Sequence, residues 1–262
     1  LLGGKGANQA LAAARTGAKV AMVGRIGDDG MGLRILNNLR RAGVLTSGVA
    51  QSEQHPTGLA VVLRDQAGEN QIIVSPGANI ETLADQVPDE VLLPKNLLLM
   101  QTETPAQENW LLLERAKANG TTTILNLAPA IRIPQKALSN VDYLIVNETE
   151  AAQIAEILGL NADNDTLKLA GALAEKGNLT CIVTIGPGGS VAVTTEGETI
   201  TVQAFDVETI VDRTGAGDAY CGTLAAALHQ GKPLETAMAM ASVAGSLACT
   251  KTGTQSAYPY LA

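Results

Sequence analysis

The chain has 262 residues, a hydrophobic content of 46% and a formal net charge of -8, which together allow one sizeable α/β core. The acidity and an aromatic content of 2% argue against a nucleic acid or an anionic membrane as a standing partner, because both demand a basic face and single-strand binders need stacking rings. The apolar runs are strand-sized, so no membrane span is expected. Cys181, Cys221 and Cys249 form neither a CxxC pair nor an even disulfide set, which points to a reducing, cytoplasmic setting.

The chain opens on Gly3-Gly4-Lys5-Gly6-Ala7-Asn8-Gln9-Ala10, a glycine turn running into an alanine-rich helix that ends at Gly17. A strand is expected over Lys19 to Val23, then a loop from Gly24 to Gly32. A helix follows whose apolar Leu33, Leu36 and Leu39 recur every three residues, closed by Gly43. Two short strands, Leu59 to Arg64 and Asn70 to Val74, flank the polar turn Asp65 to Glu69 and read as a hairpin. A hairpin does not continue a parallel sheet, so this one is expected to leave the main layer and cover something.

The α/β alternation resumes with strand Asn96 to Gln101, helix Ala106 to Ala118, and strands Thr121 to Leu127 and Val141 to Val146. Helices over Glu148 to Leu158 and Asp165 to Lys176 precede the strand Thr180 to Ile185. Near-continuous apolar strands of this kind belong to a parallel sheet covered on both faces. The turn Gly186 to Gly189 leads to hairpin-like strands Ser190 to Thr194 and Thr199 to Gln203, and helices follow Asp218 and span Pro233 to about Ala248. No repeat, low-complexity tract or linker interrupts the chain. One domain over residues 1–262, with a hairpin appendage at about 57–74, is the expected organisation.

Open parallel sheets bind ligands beyond the carboxyl ends of their strands. The segments after the strands are Gln101-Thr102-Glu103-Thr104, Asn126-Leu127-Ala128-Pro129, Asn147-Glu148-Thr149-Glu150, Thr184 to Gly188, and the turn Val211 to Tyr220. In that turn two glycines flank Ala216 at the start of a helix, whose free N–H groups and dipole make an anion cradle without a lysine. Asp218 then has two readings. It is a base that takes a proton from an attacking hydroxyl, or a carboxylate that merely complements the helix dipole.

Asn147 and Glu150 suit a hydrated magnesium tied to phosphates, and equally the capping box of a helix start. Gly186 to Gly189 reads as a nucleotide loop or a plain turn, and Lys5 as a phosphate or sugar contact or an exposed lysine. His55 and His229 fit no triad or metal spacing and are read as surface residues, and Met238 and Met240 as core fillers. Gly6 after Lys5 breaks the Walker pattern, and Gly27, Gly30 and Gly32 have the wrong order for a dinucleotide fingerprint.

Gly-Gly-Lys-Gly-Ala-Asn-Gln near the start, Asn-Glu-Thr-Glu in the middle and Asp-Arg-Thr-Gly-Ala-Gly-Asp near the end together resemble the ribokinase family of carbohydrate kinases, across almost the whole chain. The resemblance implies a three-layer αβα fold with a central, mostly parallel sheet and a small β lid. It implies ATP-dependent phosphorylation of a sugar, ribose foremost, at the primary hydroxyl. The alternatives are a kinase of fructose, deoxyribose or adenosine, or a catalytically silent sugar-binding protein of the same fold.

By the same resemblance Asp218 is the general base, and the amides of Gly215, Ala216 and Gly217 form the anion hole. Gly4, Lys5, Asn8 and Glu103 hold sugar hydroxyls. Asn147 and Glu150 serve the phosphates and a hydrated Mg2+, and Thr184, Gly186, Gly188 and Ser242 line the ATP site with Gly217. A monovalent cation, usually potassium, is implied between Asp212 and Thr214 on one side and Ala248, Lys251 and Gly253 on the other. Ser242 stands where the family often has asparagine, which alters one contact of the ATP site, and Ala257 stands where it commonly has serine, which implies a lost ligand and a weaker potassium dependence. The family's opening strand with its Asn-x-Asp sugar contact, and further lid strands, have no counterpart in this sequence, and the end looks short of a final helix. An incomplete lid is therefore expected, with poor sugar binding or abnormal dimerisation, because in the family the lid covers the sugar and forms the homodimer contact.

Overall fold

A computed structural model describes residues 1–64, 70–160 and 165–260 of the chain. Helix α1 (Lys5–Arg15) comes first, then strand β1 (Ala21–Gly27), helix α2 (Gly30–Arg41), strand β2 (Leu45–Ser52) and a hairpin of β3 (Leu59–Arg64) and β4 (Asn70–Ser75). The alternation continues through β5 (Leu97–Gln101), α3 (Ala106–Ala118), β6 (Thr122–Asn126), the short α4 (Gln135–Leu138) and β7 (Tyr143–Asn147). Then come α5 (Glu148–Ile157), α6 (Thr166–Gly177), β8 (Thr180–Thr184), β9 (Ser190–Val193), β10 (Thr199–Val202), α7 (Ala216–His229) and α8 (Leu234–Ala248).

The main sheet has six strands in the order β10-β9-β8-β7-β6-β5. Strands β5 to β8 run parallel, and β9 and β10 are added antiparallel at one edge. Successive side chains along a strand point to opposite faces, and here both members of each pair are buried. Leu125, Leu144 and Cys181 pack with Leu113, Ile154 and Leu173 on one side, while Ile124, Ile145 and Ile182 pack with Leu224, Met238 and Ala241 on the other. Helices therefore cover both faces, which makes three layers. A third cluster joins Ala7 and Leu11 of α1 to Ala219 of α7 and Ala244 of α8.

The early region departs from expectation. Strand β1 starts two residues later than Lys19 and runs through Gly24 to Gly27, a stretch expected to be loop. Gly27 is a contact glycine rather than a turn glycine: its N–H donates to Thr57 Oγ1 at 3.0 Å, and a Cβ there would lie 2.7 Å from Asp29 Oδ2. Strand β2, parallel to β1, was not anticipated, because Thr46, Ser47, Gly48 and Gln51 break its apolar pattern. Leu36 and Leu39 are buried as their spacing predicts, but Leu33 is 53% exposed. Asp29 caps α2, accepting from Met31 N at 3.0 Å and Gly32 N at 2.8 Å, and these donors with Thr57 hold its carboxyl below the usual range.

The hairpin β3–β4 forms a two-stranded sheet of its own with Val61 opposite Ile73. Its expected turn, Asp65 to Glu69, lies outside the described residues. His55 is more than a surface residue: its Nδ1 pairs with Glu81, which also accepts from Arg25 at 3.0 Å and Ser52 at 2.8 Å. Among the described residues no helix is long and apolar enough to cross a membrane.

Candidate active site

Because β5 to β8 are parallel, their carboxyl ends share one edge, where Gln101 pairs with Asn126 and Asn147 with Thr184. The starts of α1 and α7 meet above that edge, and Gly222 sets how near they come. A Cβ at Gly222 would run into the Gln9 carbonyl and lie 2.7 Å from the Ala12 Cβ, so α1 passes α7 at backbone contact. A bond of 3.2 Å between the buried Thr16 and Thr223 hydroxyls ties the helices further along.

Asp218 lies one turn before Gly222, and α1 brings two amides to it. Asn8 Nδ2 donates to Asp218 Oδ2 at 2.8 Å, and Gln9 Nε2 donates to Asp218 Oδ1 at 2.8 Å. The carboxylate thus faces α1, and no side chain among the described residues caps α7. Burial pushes the Asp218 carboxyl above the usual aspartate range, against the pull of Asn8, Gln9 and the Lys5 ammonium, with Glu103 adding to the rise. Lys5 closes on Glu103 twice, through its backbone N–H at 3.0 Å and its Nζ at 3.2 Å. Burial works against the Lys5 ammonium, but Glu103 and Asp218 together carry it above the usual lysine value. Gly4, with φ of 92°, is the residue from which α1 starts.

At the head of α7, Gly215 adopts φ of 81°, and a Cβ there would lie 2.6 Å from Tyr258 Oη. That hydroxyl is buried and without a hydrogen-bond partner among the described residues. The Ala216 N–H reaches Arg213 O at 3.2 Å, and Gly217 is exposed. Segments 211–214 and 249–253 are clamped: Cys249 O accepts from Val211 N at 2.8 Å and Asp212 N at 3.2 Å, and Asp212 Oδ2 accepts from Gly253 N at 3.0 Å. Asp212 Oδ1 takes the Thr214 hydroxyl at 2.7 Å. Ala248 and Lys251 flank the same junction.

On the remaining side, Asn147 and Glu150 form a capping box, with Glu150 N to Asn147 Oδ1 at 2.8 Å and Asn147 N to Glu150 Oε2 at 2.9 Å. Burial raises the Glu150 carboxyl above its usual value, opposed by the Asn147 N–H and by Lys5 and assisted by Asp218, so it shares a field with the α1 residues. Thr184 Oγ1 reaches Val146 O at 3.4 Å, and Gly186 to Gly188 form a single 3-10 turn with φ of 55° at Gly186. The Ser242 hydroxyl is engaged in fastening a loop: it accepts from Phe205 N at 3.2 Å and donates to Gln203 O at 2.9 Å.

The fold therefore brings Lys5, Asn8, Glu103, Glu150 and Asp218 together, linked by hydrogen bonds or by mutual charge, with Gly215 to Gly217 at the start of the helix that carries Asp218. The sequence marks Gln9 only as part of the opening motif, and Gln101 and Asn126 only as members of segments after strands, and it does not single out Gln255 or Gly222. Two adjacent polar residues inside an alanine-rich helix, Asn8 and Gln9, were the available signal for the first of them. A separate cleft of about 390 Å³ at the other end of the strands, beside Lys95, Tyr143, His229 and Lys232, contains none of the predicted residues.

Residues 1–260 match the pattern of the pfkB family carbohydrate kinases. The chain belongs to that family. This pfkB carbohydrate kinase is 35% identical over 259 residues to the ribokinase of Haemophilus influenzae, covering 98% of this chain and 84% of the relative. It is 34% identical over 263 residues to the deoxyribokinase of Salmonella typhi, with 98% and 84% covered. Among solved structures, Arabidopsis thaliana ribokinase complexed with ribose and ATP matches with a TM-score of 0.88 at 30% identity, over 98% of this chain and 84% of that one. The expected three-layer, ribokinase-like fold is the fold of these relatives.

Proposed function

We propose that this carbohydrate kinase transfers the γ-phosphoryl group of ATP to the primary hydroxyl of D-ribose, giving ribose 5-phosphate and ADP. The observation that carries the reading is Asp218, hydrogen-bonded through both oxygens to α1 at the head of a helix that no side chain among the described residues caps. A base must be near the proton it takes, and an uncapped helix start offers N–H groups to developing negative charge.

In this mechanism Lys5, Glu103, Gly4 and Asn8 hold the sugar so that its primary hydroxyl faces Asp218. The hydroxyl proton passes to Asp218, the oxygen attacks the γ-phosphorus in line, and the bond to the bridging oxygen breaks to release ADP. The amides of Gly215, Ala216 and Gly217 take up the charge that develops on the transferring group. Thr184, Gly186, Gly188 and Ser242 line the nucleotide side, Ser242 through the loop it fastens.

The donor sets fit two ions. Glu150 keeps one carboxylate oxygen outside its capping box, which suits a Mg2+ that retains waters and phosphate oxygens. Bound there, Mg2+ supplies neutralisation of the phosphate charge. Asp212 and Thr214, with the carbonyls of Ala248, Lys251 and Gly253, would supply an all-oxygen donor set at the clamped junction, which suits a hard cation such as K+.

The free cysteines fit a reducing cytoplasm. The exposed Leu59, Val61 and Ile73 of the hairpin fit a lid that closes over the sugar and pairs with a second copy. The whole chain acts as one kinase domain. A second reading, phosphorylation of 2-deoxyribose, draws support from the likeness to a deoxyribokinase. ADP release with ATP, magnesium and a panel of ribose, 2-deoxyribose, fructose and adenosine separates them: kcat/KM is highest for ribose if the proposal holds, and a preference for another acceptor rejects it.

A further inference from the structure

Gln9 is fully buried inside an alanine-rich helix, and every polar atom of its amide is matched. Nε2 donates to Asp218 Oδ1 at 2.8 Å and to Asn126 Oδ1 at 2.9 Å, while Oε1 accepts from Gln101 Nε2 at 2.8 Å. Asn126 is itself fixed, because its Nδ2 donates to Ile145 O at 3.1 Å and so turns Oδ1 toward Gln9. A primary amide has two donor hydrogens on one side and an acceptor on the other. Turning the Gln9 amide over would set its oxygen against two acceptors and its NH2 against a donor, so this site admits one orientation.

The other oxygen of Asp218 is served by a parallel arrangement. Gln255 Nε2 donates to Asn8 Oδ1 at 3.0 Å, which turns Asn8 Nδ2 toward Asp218, and Gln255 Oε1 accepts from Asn38 at 2.6 Å. Asn8, 4% exposed, is one of the residues proposed to hold the sugar, whereas Gln9 is fully buried and all its amide contacts are to protein.

We infer that Gln9, locked in orientation by Gln101 at the end of β5, is a positioning residue for the base: it fixes the direction of the Asp218 carboxylate and governs how readily that carboxylate takes and returns a proton. The inference rests on reading Asp218 as the base of a kinase. A hydrogen bond to the charged form stabilises it, so a lost or reversed Gln9 contact makes Asp218 harder to ionise and leaves it free to rotate.

The test uses Gln101→Glu and Gln101→Met. In Gln101→Glu the carboxylate cannot donate to Gln9 Oε1, so it draws the Gln9 NH2 and turns the Gln9 oxygen toward Asp218. Gln101→Met removes the donor without adding charge, and it carries the test if the first variant does not fold. Two readouts are taken: the titration of the Asp218 carboxyl by carbon-13 NMR in ligand-free protein, assigned from its absence in Asp218→Asn, and kcat/KM for ribose against pH. In Gln101→Glu both move to higher pH by about one unit, with a smaller move in Gln101→Met. In both variants kcat falls about tenfold or more, and KM for ribose changes less than about threefold. An unmoved Asp218 titration, whether or not activity falls, overturns the inference. If the parent chain releases no ADP with any sugar, the kinase reading fails alone, and the NMR titration still decides whether Gln9 and Gln101 govern Asp218.

Discussion

The backbone carbonyl of Gln9 lies against the Cα of Gly222 where α1 crosses α7, and that contact brings the α1 amides within 2.8 Å of Asp218. A helix interior normally disfavours glycine by about 1 kcal/mol relative to alanine. At Gly222 the preference is reversed, because the space that a Cβ needs is filled by the other helix.

Gly222→Ala is therefore expected to lower unfolding stability by about 1–3 kcal/mol through overpacking, and to reduce kcat as Asn8 and Gln9 draw back from Asp218. Gly171→Ala in α6, where a Cβ meets nothing within 4 Å, is the control and gains up to about 1 kcal/mol. Denaturant titration of the two variants checks the pair. Equal effects would show that packing at Gly222 is not special.

The pH dependence follows from the Asp218 environment. Burial raises its carboxyl above the ordinary aspartate value of about 3.9, and a base acts only when ionised. The acidic limb of kcat/KM should thus lie above that value, with activity lost as pH falls through it. Lys5 pulls the Asp218 carboxyl down, so Lys5→Met should move the limb to still higher pH. A limb that stays fixed in Lys5→Met would contradict the electrostatic link.

Glu103 accepts from both the backbone and the ammonium of Lys5, so in the proposed mechanism it shapes the sugar pocket as well as lining it. Glu103→Ala is expected to raise KM for ribose by about tenfold to a hundredfold, the range for losing hydrogen bonds to a charged group. Turnover at saturating ribose should change less. Calorimetric titration with ribose measures the binding part directly, and unaltered affinity would remove Glu103 from the pocket.

Asp212 joins the two segments assigned to a monovalent cation, through Thr214 on one side and Gly253 on the other. Asp212→Ala should raise the potassium concentration for half-maximal activity by about tenfold, a loss of about 1.4 kcal/mol of cation affinity. Rates measured across a KCl series at constant ionic strength decide this. A chain equally active in potassium and in a large organic cation would show that the junction serves folding only.

Much of the fold was legible because its central strands are apolar on both faces. Ile124 and Leu125, or Ile145 and Leu144, announce burial whichever way each side chain points. The β1–β2 pair was harder to read, since Gly24 and Gly27 look like loop glycines, whereas both lie in β1 and Gly27 serves close approach to the Pro56–Thr57 backbone. In the site, Asp218 and the Gly215 to Gly217 turn were visible as a local pattern within one short stretch. The contacts that join Gln9, Gln101, Asn126 and Gln255 were not, although the first three lie in motifs or post-strand segments, because each acts through a partner far away in the chain and amides carry no charge to mark them. Gly222 was hidden for the same reason: its role lies in the helix that crosses it.

The most direct test of Asp218 as the base of a ribose kinase is ribose-dependent ADP release by Asp218→Ala beside the parent chain, with ribose affinity measured calorimetrically on both. The parent should turn over ribose. The variant should bind ribose with similar affinity and turn over about a thousandfold or more slowly, within the range for loss of a general base. An Asp218→Ala chain that keeps the parent's turnover would contradict the account.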